Sequence, residues 1–200
     1  MQGQAPVVRT DIFDMASDGR EFQLYVPSKQ KFIVGSTGMS PSPNNSLENL
    51  RPQHIVEALL LEPVNTAQDQ YFIEEAEERA QRFYVVNILA SCSGGRLSLK
   101  RKVWFDRSNL AIVRVETYGA QGRYQEDIHY SFYQDFGGVH FPRRIDISRP
   151  DEDYSLSLTL ETATFNQDIP ASKFTLKQPA TAQLVELKAP SAPVGGPCGQ

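Results

Sequence analysis

Tyr124–Gln134 reads YQEDIHYSFYQ. Tyr124, Ile128, Tyr130 and Phe132 fall on one parity, and Gln125, Asp127, His129 and Ser131 on the other. Period-two alternation marks a strand with one buried and one wet face. The pattern repeats on both sides of this stretch. Arg96–Phe105 sets Leu97, Leu99, Val103 and Phe105 against Ser98, Lys100 and Lys102. Val139–Ser148 sets Val139, Phe141, Ile145 and Ile147 against His140, Arg144, Asp146 and Ser148. Tyr154–Thr164 sets Tyr154, Leu156, Leu158 and Leu160 against Ser155, Ser157, Thr159 and Glu161. Linkers this short favour an antiparallel meander. The fold class is therefore mainly β: a wide antiparallel sheet with one apolar face. A second layer, a curl of the sheet on itself, or a ligand must fill that face.

The flanking sequence agrees. Val7–Met15 reads as a strand, Ser17-Asp18-Gly19 as a tight turn, and Arg20–Val26 and Lys31–Val34 as further strands. Gly35–Asn49 is a polar loop carrying the sequon Asn44-Asn45-Ser46, read as a chance match. Asn49 suits a helix cap and Pro52 a first helical turn; Ile55, Val56, Leu59 and Leu60 then form an apolar stripe that Pro63 ends. The spacing predicts one short helix around 50–61. Tyr71–Gln81 carries two readings: Glu74–Ala80 favours helix by propensity, whereas Tyr71-Phe72-Ile73 and Arg82–Ala90 look like strands joined by an acidic hairpin tip. The hairpin is preferred, because the long loops a helix would need are absent. Phe83–Leu89 is nearly all apolar and reads as a strand covered on both faces. Gln167–Gln178 reads as a closing segment anchored by Phe174 and Leu176, and 188–200 as a disordered Pro/Gly-rich tail.

Composition narrows the function. The chain has 200 residues, 40% of them hydrophobic, enough for one domain with a real core. Its net charge of −4 argues against a nucleic-acid partner, which needs a basic field. The longest apolar run, Ala58–Leu61, is far too short to cross a membrane as a helix. Met1-Gln2-Gly3-Gln4 lacks the basic and apolar succession of a signal peptide, so the chain is cytoplasmic or has lost its targeting segment. Cys92 and Cys198 lack zinc-ligand spacing; a disulfide between them and two separate thiols are both open.

The search for chemistry is mostly negative. His54, His129 and His140 have no metal-spaced partners, and no nucleophile elbow, phosphate loop or dinucleotide fingerprint is present. Neither a cofactor, a metal nor a catalytic residue is expected, and the chain reads as a non-enzyme. Glu126, on apolar parity, reads as an edge position near a turn. Arg101 and Arg143 also sit on apolar parity, between Leu99 and Val103 and between Phe141 and Ile145. Inward arginines can hold a lipid head group or a carboxyl, or can pair with an acid such as Glu126 or reach the rim. The aromatic density from Trp104 to Phe141 fits core packing or a lipid-lined cavity.

Val103–Tyr118, VWFDRSNLAIVRVETY, resembles the periplasmic lipoprotein-carrier superfamily (LolA/LolB-like), where a strand ends in an aromatic and Asp before a short turn and a second strand. Asp168–Leu176, DIPASKFTL, is similar to the family's closing segment, and Asp14–Gly35 to its middle strands. The resemblance implies a strongly curved half-barrel over 5–187, with the helix as a lid and some N-terminal strands missing. It further implies a concave face that takes lipid or lipoprotein acyl chains in the periplasm or at the periplasmic face of the outer membrane. On that reading Val103, Phe105, Val113, Val115, Ile128, Tyr130, Phe132, Ile145, Ile147, Leu156 and Leu158 line the cavity. Ile55 and Leu59 close it; Arg101 and Arg143 are candidate head-group contacts from their apolar parity alone, and the resemblance does not place the family's polar residues here. The rival reading is an interaction module of an envelope complex, with a filled core and exposed strand edges that pair with a protein partner.

Overall fold

The computed structural model describes residues 2–4, 11–36, 51–187 and 198. The sequon and the tail at 188–200, Cys198 apart, lie outside them, as does the start of the strand expected from Val7. The first strands are β1 (Gln2–Gln4), β2 (Asp11–Ser17), β3 (Glu21–Val26) and β4 (Lys31–Ser36), followed by helix α1 (Pro52–Leu59). Next come β5 (Asp69–Glu78), β6 (Gln81–Ser91), β7 (Leu97–Asp106) and β8 (Ile112–Tyr118). The last are β9 (Tyr124–Phe136), β10 (Val139–Arg149), β11 (Tyr154–Thr159) and β12 (Gln183–Glu186). The molecule is mainly β with one α-helix among the described residues. Its contacts divide it into two compact units, Met1–Leu59 with Asn166–Val194, and Leu60–Phe165 with Gly195–Gln200.

The first unit holds a five-stranded sheet in the order β1-β2-β3-β4-β12. The turn from β2 to β3 closes because Asp18 Oδ1 accepts from the backbone N–H groups of Arg20 (2.8 Å) and Glu21 (2.9 Å). Gly19 supplies the left-handed backbone there, at φ 91°. Phe22, Leu24 and Val26 alternate on β3 and are wholly buried. β12 joins parallel to β4, a pairing the local pattern did not suggest. The closing segment is anchored by Leu176, whose N–H donates to Gln23 Oε1 at 2.6 Å, whereas Phe174 remains 39% exposed. The helical stripe needs a correction. The buried positions of α1 are Pro52, Ile55 and Ala58, while Val56 is exposed. Residues three apart share a helix face, and Val56 is rotated off it. Leu60 lies beyond the helix and is also exposed.

The second unit is a seven-stranded meander, β5 to β11 in chain order with every neighbour antiparallel. Arg79 and Ala80, both at positive φ (48° and 65°), form the two-residue turn that makes β5 and β6 a hairpin. The sheet partner thus overrides the helix propensity of the glutamates. β6 is covered on both faces where Val85 (0% exposed) and Ile88 (1%) point opposite ways. Gly137 and Gly138, both at positive φ, make the turn between β9 and β10. Cys92, just after β6, is bonded to Cys198.

Candidate functional face

Strand register sorts the second unit's sheet into rows. Val86, Val103, Val115, Ile128, Ile147 and Leu156 stand side by side from β6 to β11. This row runs roughly 24 Å at the usual strand spacing. Tyr130, Ile145 and Leu158 form a second row beside it on the same face. Val115, Ile128, Ile145 and Ile147 are at most 1% exposed, and Leu156 and Leu158 are half-buried. Val113 is half-buried where the β7–β8 register shifts between Trp104 and Phe105.

A third row on the same face is polar. It runs Arg101 (β7), Thr117 (β8), Glu126 (β9), Arg149 (β10) and Tyr154 (β11). Arg149 Nη1 donates to Glu126 Oε1 at 2.9 Å, and its Nε donates to Glu152 Oε1 at 2.9 Å. Burial alone would lower the Arg149 pKa, but the two carboxylates outweigh it and raise it. Glu126 is 2% exposed, so it is a buried ion-pair member and not an edge residue. Its cation is Arg149, which sequence analysis missed. Arg149 continues the parity of Ile145 and Ile147, and Pro150 begins the turn that follows it.

Arg101 differs from Arg149. It is 9% exposed, and Nη2 donates to the Glu62 carbonyl at 2.6 Å. Its Nε has no hydrogen-bond partner among the described residues. Burial pushes its pKa down, against the pull of the Glu62 and Asp69 charges. Burial, with the Glu126 charge, pushes the Tyr130 phenol up.

Two candidate site residues sit elsewhere, Phe132 of the lining and Arg143 of the head-group contacts. Phe132 has φ 54° and is 71% exposed, because a left-handed residue breaks the strand geometry that would have turned it inward. Arg143, across from it on β10, is exposed. Ile55 and Leu59 belong to α1 in the first unit; Ile55 is buried and Leu59 half-buried.

The opposite face is a closed polar ladder. Arg114 grips Asp127 with two hydrogen bonds, of 2.8 and 2.9 Å. Trp104 Nε1 donates to Glu116 Oε2 at 2.8 Å, and the Arg114 guanidinium lies 5.6 Å from the Trp104 ring centroid. His129 Nε2 is 3.2 Å from Asp127 Oδ2. That contact raises the His129 pKa, while His129 and Arg114 hold the Asp127 carboxyl well below its usual range despite burial. Burial, together with the Asp127 charge, pushes Tyr124 up to about 12. Arg144 and Asp146 pair at 2.8 Å. Among the described residues no group of three or more His, Cys, Asp or Glu is placed to hold a metal. No helix among them is long and apolar enough to cross a membrane.

A protein-family model described only as "-like: Uncharacterized protein" matches residues 61–178, more than half of the chain. The chain belongs to that family. No curated protein matches it. Among solved structures, the chain is similar to a domain named for outer membrane lipoprotein sorting from Vibrio parahaemolyticus. The TM-score is 0.45 at 14% identity, covering 77% of this chain and 63% of that one. It is similar to a DUF1329 family protein from Desulfovibrio piger, with TM-score 0.49, 12% identity and coverage of 78% and 65%. A LolA superfamily protein from Nitrosomonas europaea gives TM-score 0.42, 17% identity and coverage of 86% and 73%. The chain thus spans less than two thirds of the first two. At these scores and identities none of the three likenesses carries a role across to this chain.

Proposed function

We propose that the protein binds lipid or the acyl chains of lipoproteins on the apolar rows of its seven-stranded sheet. It would act as a non-enzymatic carrier or sensor in the bacterial cell envelope. The observation that carries this reading is the asymmetry of the sheet. One face is a self-satisfied ladder of ion pairs; the other presents two adjacent apolar rows bounded by a polar one. Val103, Phe105, Val113, Val115, Ile128, Tyr130, Ile145, Ile147, Leu156 and Leu158 are the residues an acyl chain would touch, with about 0.8 kcal/mol gained per buried CH2. Four of them are fully shielded from water, so the chain enters by displacing the atoms that now cover them. The Cys92–Cys198 disulfide supports an oxidising compartment such as the periplasm.

The same shielding favours a second reading, a filled core that serves as an interaction module. Native mass spectrometry of protein purified from a membrane-containing lysate separates the two. Lipid or acylated peptide that co-purifies with the wild type and is lost in Leu158→Asp supports binding. An empty protein that also ignores added fatty acid supports the filled core.

A further inference from the structure

The polar row is unevenly paired. Arg149 takes both nearby carboxylates, Glu126 and Glu152, through contacts of 2.9 Å or less. Arg101, in the same row, has no carboxylate within 4.0 Å of its guanidinium among the described residues. Asp69, one of the charges that reaches it at longer range, is held by Lys100 at 3.1 Å. Glu62 gives Arg101 a backbone carbonyl. Arg101 is nine-tenths buried as a residue, and a buried, idle Nε–H with no directly bound anion is an unfavourable arrangement on its own. Guanidinium N–H groups match carboxylate and phosphate oxygens. Arg101 stands two residues from Val103 on the same face of β7, one strand in from the β6 end of the row an acyl chain would follow.

We propose that Arg101 is an anion site that selects lipids with a negatively charged head group, a carboxylate or a phosphate, over neutral ones. This rests on the acyl-binding reading and deepens it. The head group meets Nε of Arg101, and its chain lies along Val103, Val115 and Ile128. Arg143, exposed on β10, takes no part.

The test compares two matched pairs on the full chain by titration calorimetry: palmitate against hexadecanol, and lysophosphatidic acid against monopalmitoylglycerol. The inference predicts that at least one anionic lipid binds tenfold or more tightly than its neutral partner. Palmitate preference assigns the carboxylate; lysophosphatidate preference assigns the phosphate. Arg101→Met should erase the preference while keeping the neutral lipids' affinity, and Arg101→Lys should keep part of it. Without lipid, Arg101→Met should melt no lower than the wild type, since it removes a buried charge that has no direct ion pair. Equal affinities within each pair would overturn the anion site and leave acyl binding standing. Binding of none of the four would overturn acyl binding itself, and the anion site with it. A lower melting temperature for lipid-free Arg101→Met would assign Arg101 a structural role and overturn the proposal.

Discussion

Replacing both cysteines, Cys92→Ser with Cys198→Ser, should cost this protein much of its stability without touching the sheet core. The bond joins residues 106 apart in sequence. A cross-link acts mainly on the unfolded chain, by forbidding conformations in which its ends are apart. For a loop of about 100 residues the entropy model gives about 4.7 kcal/mol. That loop encloses β7 to β12, most of the strand content of the chain. Guanidinium denaturation of the double variant and of the wild type, with and without reductant, reads the effect. The midpoint should fall and the m-value should rise slightly, because the released unfolded chain exposes more surface. Reduced wild type should coincide with the variant. Superimposable curves for oxidised wild type and variant, or two freely alkylated thiols in the untreated protein, would refute the reasoning.

Other perturbations test the faces. Ile128→Ala removes a side chain that is 1% exposed and should cost about 2–5 kcal/mol in urea denaturation. Phe132→Gly should be neutral or stabilising by about 1 kcal/mol in the same assay, because it removes an exposed ring and relieves a left-handed backbone at φ 54°. Glu126→Gln should cost about 1–3 kcal/mol, since Arg149 loses one carboxylate of two inside the sheet. His129 should titrate above 6.5 by NMR and fall back towards it in Asp127→Asn. Its raised folded value means the contact stabilises fully below the unfolded value and is lost as pH rises through the folded one.

The strands and turns of the second unit were legible because local rules decide them. Side-chain alternation and positive-φ turns need no knowledge of the rest of the chain. What local pattern could not supply was register. Glu126 on apolar parity was visible, but its partner Arg149 comes from the next strand, and only the pairing of β9 with β10 brings them together. The parallel arrival of β12 beside β4 joins segments about 150 residues apart, beyond any periodicity. In α1 the apolar stripe was read one step off, because Ala58 is small enough to bury closely while Val56 is turned out. Phe132 kept its parity in sequence and lost it to one left-handed backbone angle. The disulfide was open in sequence, since spacing alone cannot show whether two Cα atoms come within reach; here they are 5.3 Å apart.

The claim that acyl chains occupy the inner rows is tested most directly by photo-cross-linking. A palmitate analogue with a diazirine near its chain end would be irradiated with the full chain, and the labelled residues mapped by peptide mass spectrometry. The account predicts saturable labelling on inner-face residues of β7 to β11, around Val103, Val115, Ile128, Ile147 and Leu156, competed away by unlabelled lipid. Labelling confined to the exposed Tyr71–Ile73 segment or to the ion-pair face, or no saturable labelling at all, would contradict it.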